Sequence, residues 1–224
     1  MSFRNRSRYG FSLPELLVVM GIISILGAVS YAALTGVWHA ANLCVDTQNL
    51  HQIGIALQSY ADDNNDCYPQ GWDATSNQTY AALLQPYTGT NLAARQNLFV
   101  SPAAVPITAT DGLPFNITYG INGELGLGVG APTRSSVVNP GSVILVANSV
   151  QDPGNFERSS CTIYQPSGIY SPASANNLSD PIPVSTDVGN LDYPNGGKVN
   201  CLFVDGHVAP IQKGQVTWGN LVPR

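Results

Sequence analysis

The stretch of sequence that decides the fold is GFSLPELLVVMGIISILGAVSYAALTGVW, residues 10–38. From Leu16 to Val45 the chain has thirty residues without a single Asp, Glu, Lys or Arg. A helix needs about 20 mostly apolar residues to cross the hydrocarbon core of a bilayer. Residues 16–38 are long enough, although Ser24 and Ser30 dilute the run. The stretch therefore predicts a membrane-spanning helix.

The basic residues around this stretch predict its orientation. Arg4, Arg6 and Arg8 precede it, and no Lys or Arg follows until Arg95. By the positive-inside rule, the N-terminus lies in the cytoplasm and the residues after about 38 lie outside. A secretory signal peptide cut near Ala32 has the same layout of basic and apolar residues. The apolar helical spacing continues past residue 32, which favours a permanent anchor.

Glu15 is a carboxylate at the very start of the apolar run. An ionised side chain in a membrane segment is costly and by default marks a function. A local explanation is also open, because Ser12 and Glu15 have the spacing of a capping box, with Pro14 inside the first turn. The two roles are compatible, since a cap stabilises the start of the helix without any partner subunit.

Residues 10–19 resemble the class III signal of type IV prepilins and type II secretion pseudopilins. The resemblance implies that prepilin peptidase cuts between Gly10 and Phe11 and that Phe11 is then N-methylated. It also implies that Glu15 pairs with the terminal amine of a neighbouring pilin subunit during assembly at an inner-membrane platform. In a low-dielectric medium an unpaired carboxylate and an unpaired ammonium are each costly, and pairing relieves both costs.

Beyond the membrane segment, an apolar stripe predicts that the same helix continues as a stem. Its members recur at helical spacing and are Leu43, Leu50, Ile53, Leu57 and Tyr60. We expect polar residues on the other face, namely Asn42, Asp46, Gln48, Asn49, Gln52 and Gln58. The helix should run from about 12 to 62 and stop at DDNND, residues 62–66, where Asn suits a left-handed C-cap. The three carboxylates there oppose the macrodipole and leave open a bound cation or a solvated turn.

The remaining sequence indicates short strands separated by turns rich in Gly, Pro, Asn and Ser. Candidate strands are 117–121, 143–148, 161–164, 199–204 and 208–211. Asp205 and Gly206 predict a two-residue type I′ hairpin turn, residues 80–87 a short helix, and residues 165–198 a long loop region. The predicted fold class is α+β and pilin-like, with a long N-terminal helix packed on an antiparallel sheet of at least four strands.

Two further segments resemble a pilin-like family that has a large head and a C-terminal H-x9-DG segment. Residues 50–69 are similar to its helix stem, and residues 195–208 to its C-terminal signature. Asn195 stands where that family has the His, so a role for that His does not carry over. Ser101 stands where the family usually has a cysteine, so the partner of Cys44 stays open.

Composition and cysteine spacing exclude some classes of function. Charged residues are only 10% of the chain, and removal of residues 1–10 would leave six Lys and Arg against fourteen Asp and Glu, a net charge of −8. So acidic a protein is a poor nucleic-acid binder. The sequence contains no Cys-x-x-Cys pair, so it indicates neither a zinc knuckle nor a thioredoxin-type motif. Outside the cytoplasm disulfides are permitted, with three possible connectivities among Cys44, Cys67, Cys161 and Cys201.

The sequence contains no catalytic motif. It has no G-x-S-x-G, no H-E-x-x-H and no Gly-rich phosphate loop, and His39, His51 and His207 suggest no nucleophile–base pair. We therefore predict no enzyme activity and no cofactor. Calcium is an open possibility, with the carboxylates of Asp180, Asp187 and Asp192 as candidate ligands, although their spacing matches no established pattern.

Together these observations predict four segments. They are a cytoplasmic leader at 1–10, a transmembrane and filament-core helix at 11–38, a helix stem at 39–64 and an extracytoplasmic β-rich head at 65–224. The predicted function is that of a structural subunit, anchored in the inner membrane by a single pass and then assembled into a type IV pilus-like or type II secretion pseudopilus filament. The alternative is a membrane-anchored module that binds carbohydrate or a surface polymer. The sequence does not distinguish pilus from pseudopilus, or a major from a minor subunit.

Overall fold

The described part of the chain begins with one helix of 51 residues. The computed structural model describes residues 13–73, 75–76, 78–89, 98–104, 117–126, 132–150, 162–164, 179, 181–182 and 191–223. Helix α1 spans Leu13–Asp63, within one residue of the predicted bounds. It ends just before Asn65 and Asp66, whose φ angles are 54° and 63°. Asn and Asp tolerate this left-handed conformation better than most residues, so the DDNND segment stops the helix as predicted.

The chain divides into two compact units, Met1–Ala41 and Asn42–Arg224. In the first unit, the segment Leu13–Tyr31 has a mean hydropathy of 2.1 and none of it is buried. Large side chains such as Leu17, Ile25 and Val29 are 70%, 67% and 68% exposed. By length and composition this segment can cross a membrane, and its exposed apolar surface fits membrane anchoring.

Two short strands and two short helices follow α1 in the second unit. Strands β1 (Trp72–Asp73) and β2 (Gln78–Thr79) pair antiparallel. Helices α2 (Tyr80–Leu83) and α3 (Gln85–Thr88) replace the single helix predicted over 80–87. The Thr79 hydroxyl caps α2 by accepting from the N–H of Ala82. A Pro in the first turn of α3 is tolerated there, because that position needs no N–H donor.

The core of the second unit is a five-stranded sheet. Its strands are β3 (Tyr119–Asn122), β4 (Ile144–Asn148), β5 (Thr162–Tyr164), β6 (Lys198–Phe203) and β7 (Val208–Gln212). Their order across the sheet is β5-β3-β4-β6-β7. Each strand overlaps one predicted strand, and the α+β class is confirmed.

The sheet is mixed, whereas the sequence predicted an antiparallel one. Strand β3 pairs antiparallel with β4, β4 with β6 and β6 with β7, but the edge strand β5 runs parallel to β3. A parallel neighbour requires a crossover in place of a hairpin. Here that crossover contains β4 itself, so strand propensity could locate β5 but could not give its direction.

The turn between β6 and β7 is also different from the prediction. The carbonyl of Phe203 accepts from the N–H of Gly206, and the N–H of Phe203 donates to the carbonyl of His207. Gly206 has a φ of 93°, but Asp205 is not among the residues of positive φ, which a type I′ turn would require. The pattern is that of a three-residue hairpin loop with its left-handed residue at Gly206. The Asp205 carboxylate accepts from the N–H of His207 and so holds this turn from inside.

Apolar side chains bury both faces of the sheet. On one face, Leu50, Ile53 and Leu57 of α1 pack in a cluster with Tyr119 and Leu202. On the other face, a second cluster contains residues that follow β5 and β7: Ile182, Leu191, Val216, Trp218 and Leu221. This second layer explains why all five residues of β4 are buried. Its residues are isolated in sequence and carry no periodic pattern, so the sequence did not reveal the layer.

Gly120 of β3 is required by the close approach of β5. A Cβ at residue 120 would lie 2.7 Å from the backbone nitrogen of Ile163 and 2.9 Å from the carbonyl carbon of Thr162. We predict that Gly120→Ala lowers the free energy of unfolding by about 1–3 kcal/mol, because the backbone of β5 must move to admit the methyl group. Urea unfolding of the full chain in detergent, followed by circular dichroism, measures this loss.

The matched control is Gly27→Ala, since nothing lies within 4 Å of a Cβ at residue 27. We expect Gly27→Ala to leave the stability of the second unit unchanged. Equal stability of Gly120→Ala and the wild type would contradict the parallel β3–β5 pairing.

Candidate functional site

A buried carboxylate, Asp46, joins α1 to the sheet within the second unit. Its Oδ1 accepts from the Tyr119 hydroxyl and, at 3.3 Å, from Nδ2 of Asn148. Its Oδ2 accepts from Nδ2 of Asn200. Asp46 and Tyr119 are 0% exposed, and the two Asn residues are 1% exposed. No Lys, Arg or His among the described residues forms a salt bridge with Asp46, so neutral donors alone satisfy the carboxylate there.

The three donors of this Asp46 cluster come from three adjacent strands. Tyr119 lies in β3, Asn148 in β4 and Asn200 in β6. The donors are held in turn: Oδ1 of Asn148 accepts from the N–H of Asn200 at 3.0 Å, and the carbonyl of Tyr119 accepts from the Tyr80 hydroxyl at 2.7 Å. One residue of α1 therefore contacts the central strands through a set of mutually fixed hydrogen bonds.

The sequence-based placement of Asp46 on the solvent face was wrong. Asp46 precedes Leu50 by four residues and Ile53 by seven, so it lies on the same helix face as these buried residues. The available signal was this spacing, together with Asn148 and Asn200 inside otherwise apolar strands. A buried carboxylate requires donors, and these two amides supply them.

The acidic turn after α1 has a cation from the chain itself. The Nη2 of Arg134 lies 2.8 Å from Oδ1 of Asp62, and its Nε lies 2.8 Å from Oδ1 of Asp66. The Ser135 N–H and hydroxyl donate to Oδ2 of Asp66, and Asp63 accepts from the Tyr87 hydroxyl. The guanidinium thus offsets the carboxylates that oppose the helix macrodipole. Arg134 is 72 residues away from Asp62, so no local pattern could identify it.

The predicted calcium ligands are only partly described. Asp180 and Asp187 lie outside the described residues. Asp192 is half-buried, its Oδ1 accepts from the N–H of Tyr193 at 2.8 Å, and burial raises its pKa. Across the described ranges, no group of three or more His, Cys, Asp or Glu could hold a metal ion. The calcium site therefore stays a prediction.

The structure describes three of the four cysteines. Cys44, Cys67 and Cys201 are free, and Cys161 lies outside the described residues. Cys44 is exposed on α1 and Cys201 is buried in β6. Each of the three connectivities that the sequence left open joins two of these three free cysteines, so the structure contains none of the three.

The N-terminal signal is described from Leu13 onward. Gly10, Phe11 and Ser12 lie outside the described residues, so both the cleavage junction and the capping box stay predictions. Glu15 lies in the first turn of α1 with an exposed side chain. A carboxylate at this end of a helix interacts favourably with the macrodipole. No other Asp, Glu, Lys or Arg occurs between Leu13 and Val45.

Residues 5–31 match the family profile of the prokaryotic N-terminal methylation motif. The chain carries a prepilin-like signal. A search of curated proteins and a search of solved structures each found no match to the chain. The prepilin-like signal covers the apolar segment that begins α1. Pilin-type proteins with this motif are structural, and the motif is that of a prepilin-peptidase substrate.

The contacts of Asp66 predict an acid-dependent contribution to stability. Hydrogen bonds from the side chain and backbone of Ser135, with the Arg134 charge, lower the pKa of Asp66. The pKa of Asp66 in the folded state lies below the ordinary value of about 3.9. The ionised Asp66 therefore contributes its full stabilisation above the ordinary pKa. This stabilisation is lost as pH falls through the folded-state pKa. We expect Asp66→Asn to be less stable than the wild type at pH 7, with the difference shrinking as pH falls through the lowered pKa of Asp66. Urea unfolding measured at several pH values tests this, and a difference independent of pH would contradict it.

Tyr119 predicts an alkaline limit to stability. Burial is the largest cause that raises the pKa of Tyr119, and the charge of Asp46 is the next. The protonated Tyr119 therefore contributes its full stabilisation below the ordinary tyrosine pKa of about 10, and this stabilisation is lost as pH rises above that value. We expect Tyr119→Phe to reduce the free energy of unfolding at pH 7 by about 2 kcal/mol, because the Asp46 carboxylate loses a donor. The variant should also lose less stability than the wild type between pH 9 and about 11. Urea unfolding across this pH range measures both effects.

Tyr68→Phe is the matched control for the lost hydrogen bond. The Tyr68 hydroxyl is buried without a hydrogen-bond partner among the described residues, and burial raises its pKa to about 12. Its removal should therefore leave stability at pH 7 unchanged or increased, while it also reduces the alkaline loss. Equal effects of the two substitutions at pH 7 would contradict the role of Tyr119 as a donor to Asp46.

Proposed function

We propose that this chain is a structural subunit that prepilin peptidase processes and that assembles through α1 into a type IV pilus-like or type II secretion pseudopilus filament. The supporting observation is that the methylation motif at residues 5–31 coincides with an apolar helix, Leu13–Tyr31, that is exposed throughout. A helix that is apolar on all sides requires lipid or other apolar helices around it. The inner membrane before assembly and a bundle of like helices after assembly meet this requirement in turn.

Processing would remove the residues that fix the orientation of the precursor. Hydrolysis of the bond between Gly10 and Phe11 leaves a carboxylate on Gly10 and a new amine on Phe11, which is then N-methylated. Arg4, Arg6 and Arg8 leave with the leader. These three charges are the ones that hold the N-terminus in the cytoplasm by the positive-inside rule. Their loss favours lateral exit of the subunit from the membrane.

Glu15 would supply the specific contact of assembly. In the mature chain it is the fifth residue, and it is the single acidic group of the apolar segment. The charge of Glu15 and the charge of a neighbouring Phe11 amine are each costly inside an apolar bundle, and both costs fall when the two groups pair. An apolar helix bundle would otherwise have no fixed axial position between subunits.

The four segments then have separate roles. Residues 1–10 form the cytoplasmic leader, residues 11–38 the membrane and filament-core helix, residues 39–64 the stem, and residues 65–224 the head on the outer side of the inner membrane. The partners are prepilin peptidase, like or related subunits, and the inner-membrane assembly platform. The second unit fits a structural role, because the buried side chains of the Asp46 cluster hold the stem helix on the sheet.

The test compares Glu15→Val with Glu15→Gln in cells that assemble filaments. Mass spectrometry of the wild-type chain should find a methylated Phe11 at the N-terminus. Both variants should be cut at the same bond and fail to enter sheared filaments. Glu15→Gln is the decisive control, because Gln serves a capping box as well as Glu does but cannot carry a charge.

Two outcomes would overturn the proposal. A mature N-terminus near Ala33 would show that residues 1–32 are an ordinary signal peptide. Filaments that contain Glu15→Gln at the wild-type level would reduce Glu15 to its capping role and remove the proposed charge pairing.

A further inference from the structure

Both lysines of the chain lie side by side at one end of the β6–β7 hairpin. Lys198 is the first residue of β6 and pairs with Gln212 of β7. Lys213 is the next residue after Gln212, and its N–H donates to the carbonyl of Gly197 at 2.8 Å. The sequence contains no other lysine. Strand pairing therefore brings together two like charges that are far apart in the sequence.

This lysine pair, Lys198 and Lys213, is exposed. Among the described residues no carboxylate forms a salt bridge with either lysine. The Nζ of Lys213 lies over the Tyr193 ring, 5.8 Å from its centroid. Asp192 precedes Tyr193, but it is half-buried and accepts from the N–H of Tyr193. Within the part of the chain that is described, both lysine charges are therefore available to a partner.

Negative charge predominates around the end of α1. Four carboxylates lie at this acidic end, and they are Asp62, Asp63, Asp66 and Asp73. Asp73 belongs to it because its charge adds to burial in raising the pKa of Tyr60, in the last turns of α1. The guanidinium of Arg134 pairs with Asp62 and Asp66, so three of the four negative charges remain uncompensated by it. The side chain of Asp62 is 63% exposed.

The contacts between β6 and α1 place the lysine pair and the acidic end at opposite ends of the second unit. The Asn200 amide donates to Asp46. Past the end of β6, a Cβ at Gly206 would lie 3.2 Å from Nε2 of Gln58. Strand β6 therefore advances in the same direction as α1. Between Asp46 and Asp62 the helix rises about 24 Å, so within one chain neither lysine reaches the acidic end.

We propose that the lysine pair of one copy binds the acidic end of a second copy in the assembled filament. The contact rests on the proposed function, because it joins subunits of that filament. Each copy presents lysines to one neighbour and carboxylates to another, and such a heterologous contact repeats along a helical filament without closing. Contact through the same end of two copies would instead bring like charges together, which is unfavourable.

The strength of this contact comes from its repetition. A single exposed ion pair contributes little, because water and salt screen it. Here two lysines face several carboxylates, and the contact recurs at every step of a filament whose subunits α1 already holds together. Its main effect is therefore to select the position of one second unit relative to the next, and this effect weakens as ionic strength rises.

Zero-length cross-linking of sheared filaments tests which residues meet. A carbodiimide activates a carboxylate, and the Nζ amine of a lysine then displaces the activating group to form an amide. Tandem mass spectrometry of wild-type filaments should find amides that join Lys198 or Lys213 to the acidic end. Because these groups lie at opposite ends of one chain, each such amide links two copies.

The matched control is Lys198→Arg combined with Lys213→Arg. This variant keeps both charges, so filaments should form in the wild-type amount. The guanidinium does not form the amide under these conditions, so the links to the acidic end should be absent.

Charge reversal tests whether the contact contributes to assembly. Lys198→Glu combined with Lys213→Glu should lower the amount of sheared filament at least about fivefold, because like charges then meet at each step. Both lysines are exposed, and circular dichroism of the full chain in detergent checks that the variant folds. Lys198→Gln combined with Lys213→Gln removes the charges without reversing them. It should lower the amount about twofold, and it replaces the Glu variant if that chain does not fold.

The outcomes separate this contact from the filament function. Absence of filaments from the wild type would remove the proposed function and the contact with it. Wild-type filaments whose lysines are linked only to other carboxylates, or to a different subunit, would overturn the contact and leave the filament function standing. Filaments of the folded charge-reversed chain in the wild-type amount would overturn it in the same way.

Discussion

The arrangement of the second unit depends on the burial of one carboxylate. Removal of an ionised group from water costs several kcal/mol, and the group stays buried only where donors replace the lost water. Asp46 meets this condition through Tyr119, Asn148 and Asn200, one from each of three neighbouring strands. The helix face, the order of the central strands and the position of these side chains must therefore all be correct at once.

The two units of the chain place the same helix in different surroundings. Between Leu13 and Tyr31 the apolar side chains point in all directions and all are exposed. From Asp46 onward, a single stripe is buried against the sheet, and exposed apolar residues such as Ile55 are scattered. A helix that is apolar all round suits lipid or a helix bundle, and a one-sided stripe suits a globular core. The change of pattern lies close to the boundary between the units at Ala41 and Asn42.

Local patterns in the sequence were sufficient for α1 and the main sheet, but not for the short β1–β2 pair or for the contacts between elements. The long apolar run located α1, and β-rich runs between turns located all five strands of the main sheet. The direction of β5, the second apolar layer under Trp218 and the ion pairs of Arg134 depend on residues far apart in the chain. Asp46 is the intermediate case. The sequence shows its four-residue spacing from buried Leu50. A charged residue is nevertheless assigned to solvent unless the side chains that donate to it are also identified.

Asp46 also limits the apolar character of α1. It is the only Asp, Glu, Lys or Arg between Glu15 and Asp62, so an apolar residue at position 46 would extend the uncharged run over residues 16–61. The membrane-capable part stays at Leu13–Tyr31, because polar residues such as Gln48 and Gln52 follow it, and the charge of Asp46 adds to that limit. A carboxylate in lipid is costly, whereas the same carboxylate in the Asp46 cluster has three donors. The cluster therefore favours the sheet over lipid for this part of the helix.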